Sequence, residues 1–229
     1  MDLYHLCNRG VDKRTIFLDD QDHFRFVHDL FEFNDQQSVS SNFYYFSKSS
    51  DIGCPNIKSR VRESRKLLVH IHCFCLMPNH YHMLVSPLVD DAIPRFMKKL
   101  NMGYAKYFNE KYKRVGALFQ GKYRSVLVER DAHFLHLPYY IHFNPLDIVA
   151  PEWRHRQIQN AKKALAFLER YRWSSHRDFL GEKNFPSITQ RDFLLDFFGG
   201  SETYRASINE AIATLEYDSI RSLTFDDDN

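Results

Sequence analysis

No stretch of these 229 residues approaches the roughly 20 consecutive apolar side chains that a membrane-spanning helix needs. The opening MDLYHLCNRG lacks the apolar centre and the small-residue cleavage site of a secretory signal. Cysteine is scarce too: Cys7, Cys54, Cys73 and Cys75, without an export signal, read as free thiols and argue against a disulfide framework. No internal repeat or low-complexity tract stands out. The expected compartment is the cytoplasm, with no membrane partner. At 44% hydrophobic residues the chain can bury a full core, as one globular domain with additions or at most two units.

Acidic residues are nearly missing from one segment. Between Arg95 and Arg124 nine Lys or Arg face a single acid, Glu110, whereas residues 186–229 hold nine acids and three bases. The net charge of +2 conceals this asymmetry. A basic face fits a polyanion partner, with a solvated helix face as the plain alternative.

Apolar periodicity gives the order of elements. DLYHLCN alternates weakly and ends in the Arg9-Gly10 turn, as a first strand. Asp19 or Asp20 can cap a helix carrying Phe24, Phe26, Val27, Leu30 and Phe31 at helical spacing. Residues 34–66, rich in Ser, Asn and Gln and ending basic, read as an insertion or long loop. LLVHIHCFCLM and HYHMLVSP, split by Pro78-Asn79, signal a hairpin. A helix opened by Asp90 or Asp91 follows, then a strand over 123–128 and a further apolar helix stopped by Asn144-Pro145. The pattern predicts an α+β fold, a ferredoxin-like antiparallel sheet with helices on one face. Residues 1–150 form that unit and 151–229 a C-terminal helical appendage, with DDDN frayed at its end.

Two constellations carry chemistry. In LMPNHYHMLV, His80 and His82 sit two apart on a strand, so both imidazoles project from one face and can share a metal ion. A hydrogen-bonded histidine pair at a strand edge is the bland alternative. A zinc site of Cys73, Cys75, His80 and His82 is a third possibility, set against two small buried thiols in a core strand. In YYIHFNP, Tyr140 and Asn144 lie one helical turn apart, a phenol and a carboxamide on one face. A core tyrosine with its hydroxyl at the surface is the ordinary reading there.

Together these stretches resemble the HUH single-tyrosine transposases, and more closely their REP-associated (RAYT-type) branch. The opening YHLCNRG, HCFCLMPNHYHMLV, GALFQGKYRSVLVE, YIHFNP and Trp173-Ser174-Ser175 occur in that order across about residues 4–180. The resemblance implies a ferredoxin-like sandwich in which His80, His82 and Asn144 hold magnesium or manganese. It implies Tyr140 as the nucleophile that attacks a phosphate of single-stranded DNA, giving a 5′-phosphotyrosine link and a free 3′-hydroxyl that can reverse the step. Arg9, Lys98, Lys99, Lys106, Gln120, Lys122 and Arg124 are the candidate DNA contacts. The partner is single-stranded or hairpin DNA, not a small-molecule substrate, and the protein acts as a monomer rather than a dimer. The alternative is a catalytically silent module that grips hairpin DNA.

The chain departs from the family pattern where Pro138-Tyr139 precedes Tyr140 in place of a basic residue, and where LDIVAPEW follows Asn144-Pro145. Pro138 leaves the helix register open and makes Tyr139 a rival nucleophile. Adjacent helical residues point about 100° apart, so only one of the two can face the histidines.

Overall fold

The computed structural model describes residues 1–37, 65–129, 131–155 and 157–214. Most of the expected insertion, Cys54 and the terminal DDDN lie outside those residues.

Four strands, β1 (Tyr4–Arg9), β2 (Val69–Met77), β3 (His80–Pro87) and β4 (Arg124–Leu127), form one sheet in the order β2-β3-β1-β4. Every neighbouring pair is antiparallel. With α1 (Asp20–Glu32) between β1 and β2 and α2 (Ala92–Lys111) between β3 and β4, this is the expected ferredoxin-like α+β arrangement. Asp19 caps α1 by accepting a hydrogen bond from the Asp22 amide. Asp91 precedes α2 in a left-handed conformation, without a side-chain cap.

Strand alternation builds two cores. Leu6, Phe74, Leu76, Tyr81, Met83 and Val85 point to α1 and α2. Cys73, Cys75, Met77 and Leu84 point the other way, to α3 (Asp131–Phe143) and the later helices. A bulge between Ile71 and Cys73 resets the alternation within β2, so that Ile71 packs in the first core and Cys73 in the second.

The C-terminal helices α4 (Ala161–Arg170), α5 (His176–Phe179), α6 (Asp192–Phe198) and α7 (Ser201–Thr214) contribute Leu168, Phe179, Leu194 and Tyr204 to that second core. Two later segments also protect the outer edge of β2. Leu76 N–H donates to Trp173 O, Phe74 N–H to Ser175 Oγ, and Gln190 exchanges hydrogen bonds with the Ile71 backbone. An exposed strand edge invites pairing with another chain, and these contacts occupy it. Among the described residues no helix is long and apolar enough to cross a membrane.

Candidate active site

The histidines owe their place to the β2–β3 turn. Pro78 and Asn79 close it, and it is tied to the loop after β1: Gly10 N–H donates to Asn79 O, Ile16 N–H to Pro78 O, and Asn79 Nδ2 to Lys13 O. Gly10 is required by close approach, since a Cβ there would lie 2.3 Å from Arg14 O.

Sheet register then decides which side chains meet. Cys7 lies opposite both His82 and Arg124, and Arg9 lies opposite His80. Directly opposed residues share a face, so Arg124, Cys7 and His82 form one row across the sheet and Arg9 and His80 the next. His5 lies on the same face by alternation. Its Nε2 shares a 2.9 Å hydrogen bond with His82 Nδ1, and the two rings stack.

Tyr140 comes to this face from α3, which runs through Pro138 as a single helix. Its ring stands edge-on to His82, with centroids 5.5 Å apart, and to His5 at 6.2 Å. His80 is adjacent, its ring centroid 4.9 Å from that of His82. Tyr139 turns away from the histidines and packs against Phe143, Phe198 and Tyr204 of the second core. Of the two tyrosines, therefore, Tyr140 meets the histidines.

Asn144, fully buried, donates from Nδ2 to the Tyr140 carbonyl and accepts at Oδ1 from Arg154 Nη2. Arg154 lies in a 3-10 turn, Pro151–His155, and its guanidinium sits 5.6 Å from the Tyr140 ring centre. Asp147 fixes it with bonds of 2.8 Å to Nε and 2.7 Å to Nη2.

The electrostatics follow from burial among cations. Burial holds the His82 imidazole well below its ordinary pKa, helped by His80, His5, Arg154 and Arg9, so it is neutral. Burial raises the Cys7 thiol far above the usual range despite Arg124 and Arg9 nearby. Arg9 and Arg124 flank the histidine rows while Arg154 is balanced by Asp147, a field that leans towards an anion.

The donor atoms can be tested for a metal. His5, Cys7 and His82 bring ligand atoms within 4.8 Å of one another. As a three-ligand set they fit poorly, because the His5 and His82 nitrogens that meet are spent on each other and the Cys7 thiol holds its proton. His80 and His82 fit better. Asn79 Oδ1 can only accept, so the 2.6 Å contact makes His80 Nδ1 the donor and leaves its lone pair on Nε2. His82 offers Nε2 in the same way when its Nδ1–H is directed at His5. The Asn144 amide oxygen already accepts from Arg154 and has one lone pair left to offer, so with it two neutral imidazoles would suit a divalent cation of the magnesium–manganese type. Cys73 and Cys75 join no such group among the described residues, and burial raises both thiols, which leaves the four-ligand zinc arrangement unassembled.

Of the expected DNA contacts, Arg9 and Arg124 flank the histidines, and Gln120 donates its N–H to Arg9 O at the same end of the sheet. Lys122 is exposed beside Tyr123. Lys98, Lys99 and Lys106 ride on α2, which packs on the opposite face of the sheet. Lys99 is bound to the Asp35 and Gln37 carbonyls. His5, Asp147 and Arg154 are the site residues that the sequence reading passed over.

Residues 45–144 match the family model described as "Transposase IS200 like". This agrees with the resemblance carried by PNHYH and YIHFNP: residues 78–82 and 140–144 fall within the matched segment, which ends one residue before Pro145. No curated protein matches the chain. One solved structure, described as "Structure of the REP associates tyrosine transposase bound to a REP hairpin", aligns with a TM-score of 0.46 at 11% identity, over 82% of this chain and 84% of that one.

Proposed function

We propose that this protein, whose residues 45–144 match the IS200-like transposases, nicks and rejoins single-stranded DNA through a covalent Tyr140 link, acting on hairpin or repeat DNA. The observation that carries this reading is the meeting of the Tyr140 ring edge with His82, beside His80 and under Arg154. His80, His82 and Asn144 would hold the divalent cation, which when bound draws charge from a phosphate oxygen.

The chain's own residues do the rest. His5 keeps the His82 ring in one orientation, and Asn79 does the same for His80. Arg9 and Arg124, with Gln120 and Lys122 at the same end of the sheet, attract the phosphate backbone. Lys98 and Lys106 on the far face serve a longer DNA path, and Lys99 belongs to the support of residues 35–37. Tyr140 attacks phosphorus as the bond to O3′ breaks, and the 3′-hydroxyl so released can run the step backwards. Because Tyr140 and His82 of one chain already touch, the site needs no second subunit, which supports a monomer.

Incubation of the protein with labelled hairpin DNA and manganese, resolved on a denaturing gel, tests the proposal. A covalent adduct that disappears with chelator is expected. Tight hairpin binding without any adduct across varied hairpins would instead identify a silent binding module.

A further inference from the structure

Arg154 is built into the site more firmly than a surface arginine needs to be. Burial disfavours its charge, yet Asp147 and Tyr140 more than offset this, and its pKa lies above the ordinary value. Two bonds to Asp147 and one to Asn144 Oδ1 fix the guanidinium plane, which lies 5.6 Å from the Tyr140 ring centre. Asp147 is itself steadied by the Trp153 indole, which donates to Oδ1 at 2.7 Å. The Tyr140 residue is only 3% exposed, whereas 23% of the Arg154 side chain remains open to solvent.

We infer that Arg154 is a catalytic residue: it holds the Tyr140 hydroxyl in place, meets the negative charge left on the phenol oxygen as its proton departs, and meets the charge that builds on the phosphate oxygens as the Oη–P bond forms. The inference rests on the reading of Tyr140 as nucleophile. In the step, Oη–P forms and P–O3′ breaks. The phenol proton passes to water and O3′ takes one up, so no proton is gained or lost overall. A guanidinium cannot act as the base here, because it has no proton vacancy. Its contribution is electrostatic and geometric, and a fixed donor aimed at developing charge is worth about 100-fold or more in rate.

The test is the single-turnover rate of adduct formation on saturating hairpin DNA, measured beside hairpin affinity and thermal melting. Arg154→Gln is expected to lower the bound-state rate by about 100-fold while affinity stays close to that of the unaltered protein. Arg154→Lys, which keeps the charge and loses the fork, should recover part of the rate. Should Arg154→Gln melt early, Arg154→Ala supplied with millimolar guanidinium decides, with recovery expected from guanidinium and none from sodium at equal ionic strength. An unchanged bound-state rate in Arg154→Gln overturns the inference and leaves the nucleophile reading intact. So does a loss confined to affinity, or a folded Arg154→Ala that guanidinium fails to restore. If the unaltered protein forms no adduct at Tyr140, the nucleophile reading falls and the inference with it.

Discussion

A histidine that binds a metal works only as well as its ring is held, and here His5 holds His82 from the neighbouring strand. Replacing His5 by Ala removes that support without removing a proposed ligand. The expected result is a 10- to 100-fold loss of apparent manganese affinity or adduct rate, roughly the usual effect of losing such a partner, read at a temperature where both proteins are folded because truncating the buried His5 ring also lowers the melting temperature. Equal metal response in His5→Ala and the unaltered protein would show that His82 is oriented by other contacts. His80 and His82 were legible as a pair because strand periodicity alone sets two residues of one strand on one face. His5 was not, because its meeting with His82 depends on register between strands almost 80 residues apart. Arg154 lies in a 3-10 turn with no periodicity, ten residues beyond Asn144, and only the folded position of Asp147 gives it meaning. The Cys73–Cys75 zinc arrangement failed for a different reason: register sets Cys75 opposite His82, but Cys73 lies opposite Leu84 and burial keeps both thiols protonated.

At the scale of elements, the question is how α3 keeps Tyr140 turned inward. Tyr204 of α7 bridges two buried imidazoles, meeting His142 Nδ1 at 2.6 Å and His176 Nδ1 at 2.8 Å, while His142 Nε2 meets Ser175 Oγ at 2.8 Å. This chain of bonds ties the tyrosine helix to the C-terminal helices. Tyr204→Phe leaves two buried nitrogens without their hydroxyl, and about 2–3 kcal/mol of stability should be lost, read from urea unfolding. A cost below about 0.5 kcal/mol would mean that the network relaxes without effort. On the other face, Gly103 of α2 lets Phe33 approach, since a Cβ there would lie 2.4 Å from the Phe33 ring. Gly103→Ala should therefore destabilise, by about 1–3 kcal/mol, although alanine is the better helix former in isolation. A more stable Gly103→Ala variant would contradict this packing. Element types and their order were legible from apolar spacing. Pro138 misled in one respect: it sits within α3 without dividing it, because packing on both sides overrides the local preference.

The whole molecule is a sheet covered on both sides, and its second covering comes largely from beyond residue 150. The break in sequence pattern there does not coincide with a break in packing, because Leu168, Phe179, Leu194 and Tyr204 share a core with Cys75, Leu84 and Tyr140. This covering also buries histidines that must stay neutral. Burial lowers His72 to about 4 and His176 to about 3. Above pH 6.5 the folded and unfolded chains both carry these rings uncharged. Below it the unfolded chain takes up protons that the folded chain refuses, so stability present above pH 6.5 is lost as pH falls towards those values. Each ring contributes about 1.4 kcal/mol per pH unit in that window. Urea unfolding at pH 7.5 and pH 5.0 should differ by about 4 kcal/mol from this pair. Equal stability at the two values would mean that the rings are solvated.

The most direct measurement is mass-spectrometric mapping of the peptide that carries DNA after reaction with a hairpin substrate and manganese. The account predicts a single modified tyrosine, Tyr140, joined to the 5′-phosphate of the cleaved strand, with none in Tyr140→Phe and undiminished adduct in Tyr139→Phe. Linkage to Tyr139, or adduct persisting in Tyr140→Phe, would contradict it.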